Sequence, residues 1–348
     1  MFCRMQQARL LLSVVITSPR VRRREATMTR QREVEEGGGR SAGHNTRGRM
    51  LAAHNTIRND GPAMQIGISE EMASLRTLRV DTDGAQLEVR DRGEGEPVVF
   101  IHGSMPDECA AVVKEPALLK QFRVIDYHRR GWGSSSRAVG PVSIGQSVED
   151  CRAILRHLRV ERAHFAGQSS GGAIVLQLAL DAPDLVSSVA LLEPFIASLV
   201  MGSSPNFGQM MAKAGSMYAA GDRAGAVEVF ARAVAGDGFR ETFDRTLPPG
   251  YFERWVEAAD TMFQYDAPGL MSWSFSVAEA ARLRQPFLNV TAASTGTHLG
   301  AVYSALRSWV PHAENVELPN ATHCMLQSNP KGAADLLADF FARHPLHA

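Results

Sequence analysis

The stretch Gly167-Gln168-Ser169-Ser170-Gly171, followed by Gly172, has the residue types of a serine nucleophile on a sharp turn. A strand ends just before it and an apolar helix, 171–180, follows. Glycines permit a tight crossing from strand to helix, and the serine between them is pushed out at the end of the strand. The helix N-terminus beneath it favours developing negative charge. This reading makes Ser169 the nucleophile and the backbone N–H of Ser170 one half of an oxyanion hole. A Gly/Ser-rich helix cap would give the same bare pattern; the flanking strand and helix set the two apart. A second segment, His102-Gly103-Ser104, ends the apolar run 97–101. A glycine there lets the chain turn sharply, so that the N–H of Ser104 faces the same oxyanion. His102 is expected to shape that loop and to transfer no proton.

A third segment, Asp126-Tyr127-His128-Arg129-Arg130-Gly131-Trp132-Gly133-Ser134, lies between them and reads as architectural. Taken in order, these segments resemble the α/β-hydrolase superfamily, in its serine-hydrolase branch with a helical cap, over about residues 75–345. The resemblance implies a catalytic histidine on the loop after the last strand. That loop is Leu318-Pro319-Asn320-Ala321-Thr322-His323, so His323 would be the general base that takes the Ser169 proton and returns it to the leaving group. Of His128, His157, His164, His298 and His312, most read as surface or loop residues. The resemblance also implies an acid shortly after the seventh strand, and there the chain departs from the pattern: 292–298 holds no carboxylate. Certain haloalkane dehalogenases of the superfamily place their acid after the strand that here is 186–192, which makes Glu193 the leading candidate. Asp260, Asp266 and Glu279 are weaker ones, and a Ser–His dyad supported by backbone or Ser294 is a further arrangement.

The activity implied is cleavage of an ester, or a related acyl bond, of a small and largely apolar molecule through an acyl-enzyme, with no cofactor and no metal. The same residues would serve acyl transfer, carbon–carbon bond hydrolysis or cofactor-free perhydrolysis. A ligand-binding protein that has kept the pocket and lost turnover is a reading of a different class.

The elements needed to position these residues follow from hydrophobic periodicity. Residues 75–80 and 85–90 alternate around Asp83-Gly84, a hairpin signal. The continuous apolar run 97–101 reads as a strand buried on both faces, 122–126 as another buried strand, 164–167 as the end of a strand, and 186–192, 286–290 and 315–318 as further strands. Helices are expected at 109–120, 143–158, 171–180, 299–309 and 332–341. This alternation predicts a mostly parallel, doubly wound α/β sheet with an N-terminal antiparallel hairpin, its core formed by 75–194 and 281–345. Residues 195–280 read as a helical cap. Its Met201, Met210, Met211, Met217, Met262 and Met271, with Phe207, Phe230, Phe263, Trp255 and Trp273, form mostly the cap's own core and in part an adaptable apolar pocket.

Net charge is zero but uneven: residues 1–60 hold twelve Arg, no Lys and five acids. Residues 1–70 read as an Arg-rich extension, disordered because 18–70 cannot bury enough apolar surface. The apolar run 10–17 follows Arg4 and Arg9 as a signal peptide would, but no small-residue cleavage site comes after it. A start at Met28, Met50, Met64 or Met72 is an alternative. No run approaches the roughly 18 apolar residues of a bilayer span, and the body carries no basic stripe for nucleic acid. Cys3, Cys109, Cys151 and Cys324 form no C-x-x-C pair and read as reduced thiols. The expectation is a cytoplasmic enzyme whose partner is a small-molecule substrate, with a homodimer left open.

Overall fold

The computed structural model describes residues 75–294 and 297–346. The expectations for the Arg-rich extension, the apolar run 10–17 and Cys3 lie outside the described residues.

The hairpin forms as its alternation requires: β1 (Arg76–Thr82) pairs antiparallel with β2 (Ala85–Arg92), in register from Thr82↔Ala85 to Arg76↔Asp91. The remaining strands are β3 (Glu96–Ile101), β4 (Phe122–Tyr127), β5 (Ala163–Gln168), β6 (Val186–Leu192), β7 (Phe287–Ala292) and β8 (Glu314–Leu318). They complete an eight-stranded sheet in the order β1-β2-β4-β3-β5-β6-β7-β8. The β2/β4 pair is also antiparallel, and every pair from β4 to β8 is parallel. A parallel sheet must be covered on both faces. Accordingly β5, β6 and β7 are buried at every position. On one face lie the helices Ile144–Leu158, Ser170–Asp181 and Thr297–Trp309, with Val148, Ile154, Ile174, Leu178, Val302 and Leu306 in the core. On the other lies the helix Pro330–Ala342, through Leu337, Phe340 and Phe341.

One expectation is corrected. The helix expected at 109–120 is a 3₁₀ turn, Val112–Lys114, and a single α turn, Pro116–Leu119. Pro116 disfavours the helical conformation in the residue before it, and Glu115 is extended (φ −67°, ψ 133°). His128, in the loop after β4, and His164, in β5, are both buried. Each has polar partners from distant strands or loops: Asp107 for His128, and Ser188 and Glu96 for His164.

Residues 195–280 are helical, including Pro205–Ala219, Arg223–Ala235, Phe239–Thr246, Tyr251–Glu257 and a π-helical turn at Thr261–Asp266. Phe239, Phe243, Tyr251, Trp255 and Met262 make an aromatic-rich core that also takes in Met105, Trp132 and Cys324 from the sheet domain. The buried Arg129–Asp266 ion pair (2.6 Å), joined by Trp132 Nε1 donating to Asp266 (2.9 Å), fastens the insertion to the loop after β4. Asp266→Ala leaves the buried Arg129 charge uncompensated, so a loss of about 3–5 kcal/mol is expected by urea denaturation; under 1 kcal/mol would mean that the pair does not hold the insertion. No helix among the described residues is long and apolar enough to cross a membrane.

Candidate active site

β5 stops at Gln168 and the next helix starts at Ser170, leaving Ser169 alone at the junction with φ 52° and ψ −121°. Such a conformation costs a residue with a Cβ about 1–3 kcal/mol and persists only when its surroundings dictate it. Here the backbone of Ser169 is held on both sides. Its N–H donates to Leu192 O (3.2 Å), and its carbonyl accepts from Gly172 N (3.0 Å) and Phe195 N (2.9 Å). The crossing is close: a Cβ on Gly171 would lie 2.1 Å from Ile101 O, a backbone atom in β3. Gly171→Ala is therefore expected to cost roughly 2–4 kcal/mol in equilibrium unfolding.

Gly103 is needed for a different reason from the one the sequence suggests. Its conformation is not left-handed; the space beside it is full. A Cβ there would meet Ser169 Cβ at 3.0 Å and both Gln168 O and Glu108 Oε2 at 3.1 Å. The turn thus presses directly on the serine. Its neighbour His102 is buried, accepting Arg129 N–H at Nε2 (3.0 Å) and donating from Nδ1 to Gly103 O (2.7 Å). Burial, then the Arg129 charge, hold its pKa well below the usual histidine range. A neutral imidazole with both nitrogens committed shapes the loop. Ser104 sits beside Ser170, their hydroxyls 3.2 Å apart, and its carbonyl accepts Trp255 Nε1–H from the insertion (3.0 Å). The Ser170 N–H, in the first turn of its helix, has no intrahelical acceptor.

Glu193 and His323 meet: His323 Nδ1 lies 2.8 Å from Glu193 Oε2, and both side chains are buried. The other oxygen, Oε1, accepts Thr291 Oγ1–H (2.9 Å) and Ala292 N–H (2.8 Å). Glu193 also carries a positive φ (45°), and its N–H donates to Val290 O (3.1 Å). The end of β7, where the resemblance led one to expect an acid, thus supplies donors to an acid that follows β6. An imidazole whose Nδ1 proton is held by a buried carboxylate offers Nε2 as a proton acceptor, and the carboxylate stabilises the cation formed on protonation. Gln168, the residue before Ser169, donates from Nε2 to His323 O (3.1 Å), tying the histidine loop to the elbow.

The other acid candidates are engaged elsewhere. Asp260 binds Tyr218 and Arg223, Asp266 binds Arg129 and Trp132, and Glu279 caps its own helix at Ser276. Ser294 bonds through its backbone N–H to Ala321 O.

Sequence reasoning missed the pair that follows the oxyanion turn, Asp107 and Glu108. Asp107 links His128 (3.3 Å) to Arg254 of the insertion (2.9 Å). Although burial opposes ionisation, His128, then Arg254 and Arg90, hold its carboxyl well below the usual carboxylate range. Glu108 is buried against Gly103 and Gln168. No local spacing marks either residue; the one available signal is two adjacent acids immediately after a His-Gly turn.

This sheet order, with a strained serine after β5 and a carboxylate–imidazole pair beside it, defines an α/β hydrolase, and the chain belongs to that family: residues 96–330 match its model, described as alpha/beta hydrolase fold. Among individual relatives, the chain is similar to the 2-hydroxymuconate semialdehyde hydrolase of Pseudomonas sp. (strain CF600), 26% identical across 74% of this chain and 91% of that one. It is 37% identical, over 32% of its length, to the dihydrolipoyllysine-residue acetyltransferase component of an acetoin cleaving system from Pseudomonas putida. The chain spans only 29–40% of the length of the curated relatives it matches first. Among solved structures it is similar to Est816, described as an N-acyl homoserine lactone degrading enzyme, with 26% identity, a TM-score of 0.59, and coverage of 76% of this chain and 100% of that one.

Proposed function

We propose that this chain is a serine hydrolase that cleaves an ester, or a related acyl bond, of a small and largely apolar molecule through an acyl-enzyme. The observation that carries the proposal is the buried Glu193–His323 pair, whose histidine is tied to Gln168, the residue before the strained Ser169. Ser169 Oγ attacks the acyl carbon while His323 takes its proton. The Ser104 and Ser170 amides stabilise the oxyanion. His323 then protonates the leaving alkoxide; water, deprotonated by the same imidazole, attacks the acyl carbon, and the imidazolium returns that proton to Ser169 Oγ as the carboxylic acid departs. Glu193 holds the imidazole and offsets its positive charge. The helical insertion is the cap of this site, and its apolar, aromatic-rich packing on Met105 and Cys324, the chain neighbours of Ser104 and His323, supports an apolar acyl group over a charged one.

A second reading keeps the residues and changes the bond. The likeness to a hydrolase of 2-hydroxymuconate semialdehyde over most of both chains favours hydrolysis of a carbon–carbon bond as that alternative.

The test is a panel of p-nitrophenyl esters of rising chain length, with a fluorophosphonate probe as a parallel assay. Turnover of short and medium esters and labelling at Ser169 are expected. Labelling at Ser169 without turnover of any ester would move the reading to the second bond type, and neither result would defeat both.

A further inference from the structure

We propose that Glu108 is a positioning residue of this site, a buried carboxyl that locks the Gly103-Ser104 turn against the nucleophile elbow. The proposal rests on the acyl-transfer reading above. Glu108 Oε2 accepts the Gly103 N–H, so that amide is committed and leaves the oxyanion to Ser104 and Ser170. Glu108 Oε1 lies 3.4 Å from Gln168 Nε2, the nitrogen that also donates to His323 O. Gln327 Nε2, just beyond His323, donates to the Glu108 carbonyl. One buried side chain and its backbone therefore join the turn before Ser104, the residue before Ser169 and the loop that carries His323.

The protonation state follows from what surrounds the carboxyl. The charged and titratable groups facing Glu108 are His323 from the C-terminal loop, Arg129 from the loop after β4, and the buried thiols Cys109 and Cys324, with Glu193 beyond the imidazole. Burial dominates and pushes the Glu108 carboxyl up to about 7, against the Gly103 N–H and the charges of His323 and Arg129. Once ionised, Glu108 places a negative charge across one glycine from Ser169, since a single Cβ on Gly103 would touch both residues. That charge opposes the oxyanion as it develops. The folded carboxyl is raised above its unfolded value, so its contribution to stability is present at low pH and is lost as pH rises through about 7.

The test compares kcat against pH for wild type, Glu108→Gln and Glu108→Ala, together with the pH dependence of the Gly103 amide NMR signal. Wild-type kcat is expected to fall severalfold on the alkaline side of about pH 7. Glu108→Gln, which keeps the acceptor for Gly103 and cannot ionise, is expected to retain at least a tenth of kcat near about pH 6 and to lose the alkaline decline. Glu108→Ala is expected to lower kcat about tenfold or more across the range, with KM changed less than threefold. An alkaline limb that persists unchanged in Glu108→Gln overturns the proposal, as does full kcat in Glu108→Ala. Should the alanine variant fail to fold, the glutamine profile alone decides. Should no ester be turned over by wild type, the acyl-transfer reading fails. The Gly103 amide, titrating in wild type and silent in Glu108→Gln, would still support the clamp, and a Gly103 signal that does not titrate in wild type would overturn it.

Discussion

Glu193→Gln is expected to lower kcat for ester turnover by about 10³–10⁴-fold, with KM changed little and the fold retained. The reason lies in the donors around the two carboxylate oxygens. Oε1 accepts from Thr291 and Ala292, and a glutamine can satisfy both only by keeping its carbonyl there. Its amide nitrogen must then face His323 Nδ1, where Glu193 Oε2 now sits. A donor at that point forces the imidazole to accept at Nδ1 and to carry its proton on Nε2, the nitrogen that has to take the serine proton. The variant thus keeps its shape and holds the wrong tautomer. Steady-state kinetics on the best ester check this; turnover within tenfold of wild type would remove Glu193 from the mechanism.

Ser169→Ala is expected to reduce ester turnover by about 10⁴-fold or more and to abolish fluorophosphonate labelling, while thermal unfolding stays within a degree or two of wild type. The alanine keeps the Cβ that packs against Gly103 and bears the same unfavourable φ, so the backbone strain is unchanged. Ser169→Gly removes that strain. It is expected to be as inactive as the alanine variant and more stable by about 1 kcal/mol, read by urea denaturation. A glycine variant no more stable than the alanine would show that the turn stores no strain at this residue.

The sheet was legible because parallel strands buried on both faces write continuous apolar runs, and 97–101 and 186–192 became β3 and β6 within a residue of their expected ends. The elbow was legible because a strand, a turn and a helix meet at adjacent positions in the chain. Glu193 was reachable only through the lack of a carboxylate after β7, and nothing in its own neighbourhood announces that it would reach His323, 130 residues on. Glu108 could not be found in this way, since its partners Gly103, Gln168 and Gln327 are brought together by tertiary packing alone. The short helix at 109–120 was misjudged for a local reason, the extended residue that Pro116 imposes.

The helix Tyr251–Glu257 grips the segment 104–107 at both ends, through Trp255 on the Ser104 carbonyl and Arg254 on the Asp107 carboxylate. The insertion is therefore not a detachable module. A chimera that borrowed this region from a relative to change substrate preference would also re-aim the Ser104–Met105 peptide group, next to the Ser104 N–H, and so alter the catalytic rate along with the selectivity. Donor and recipient would have to be exchanged in two pieces at once, 103–108 together with 251–266, for specificity to be transplanted without a loss of turnover.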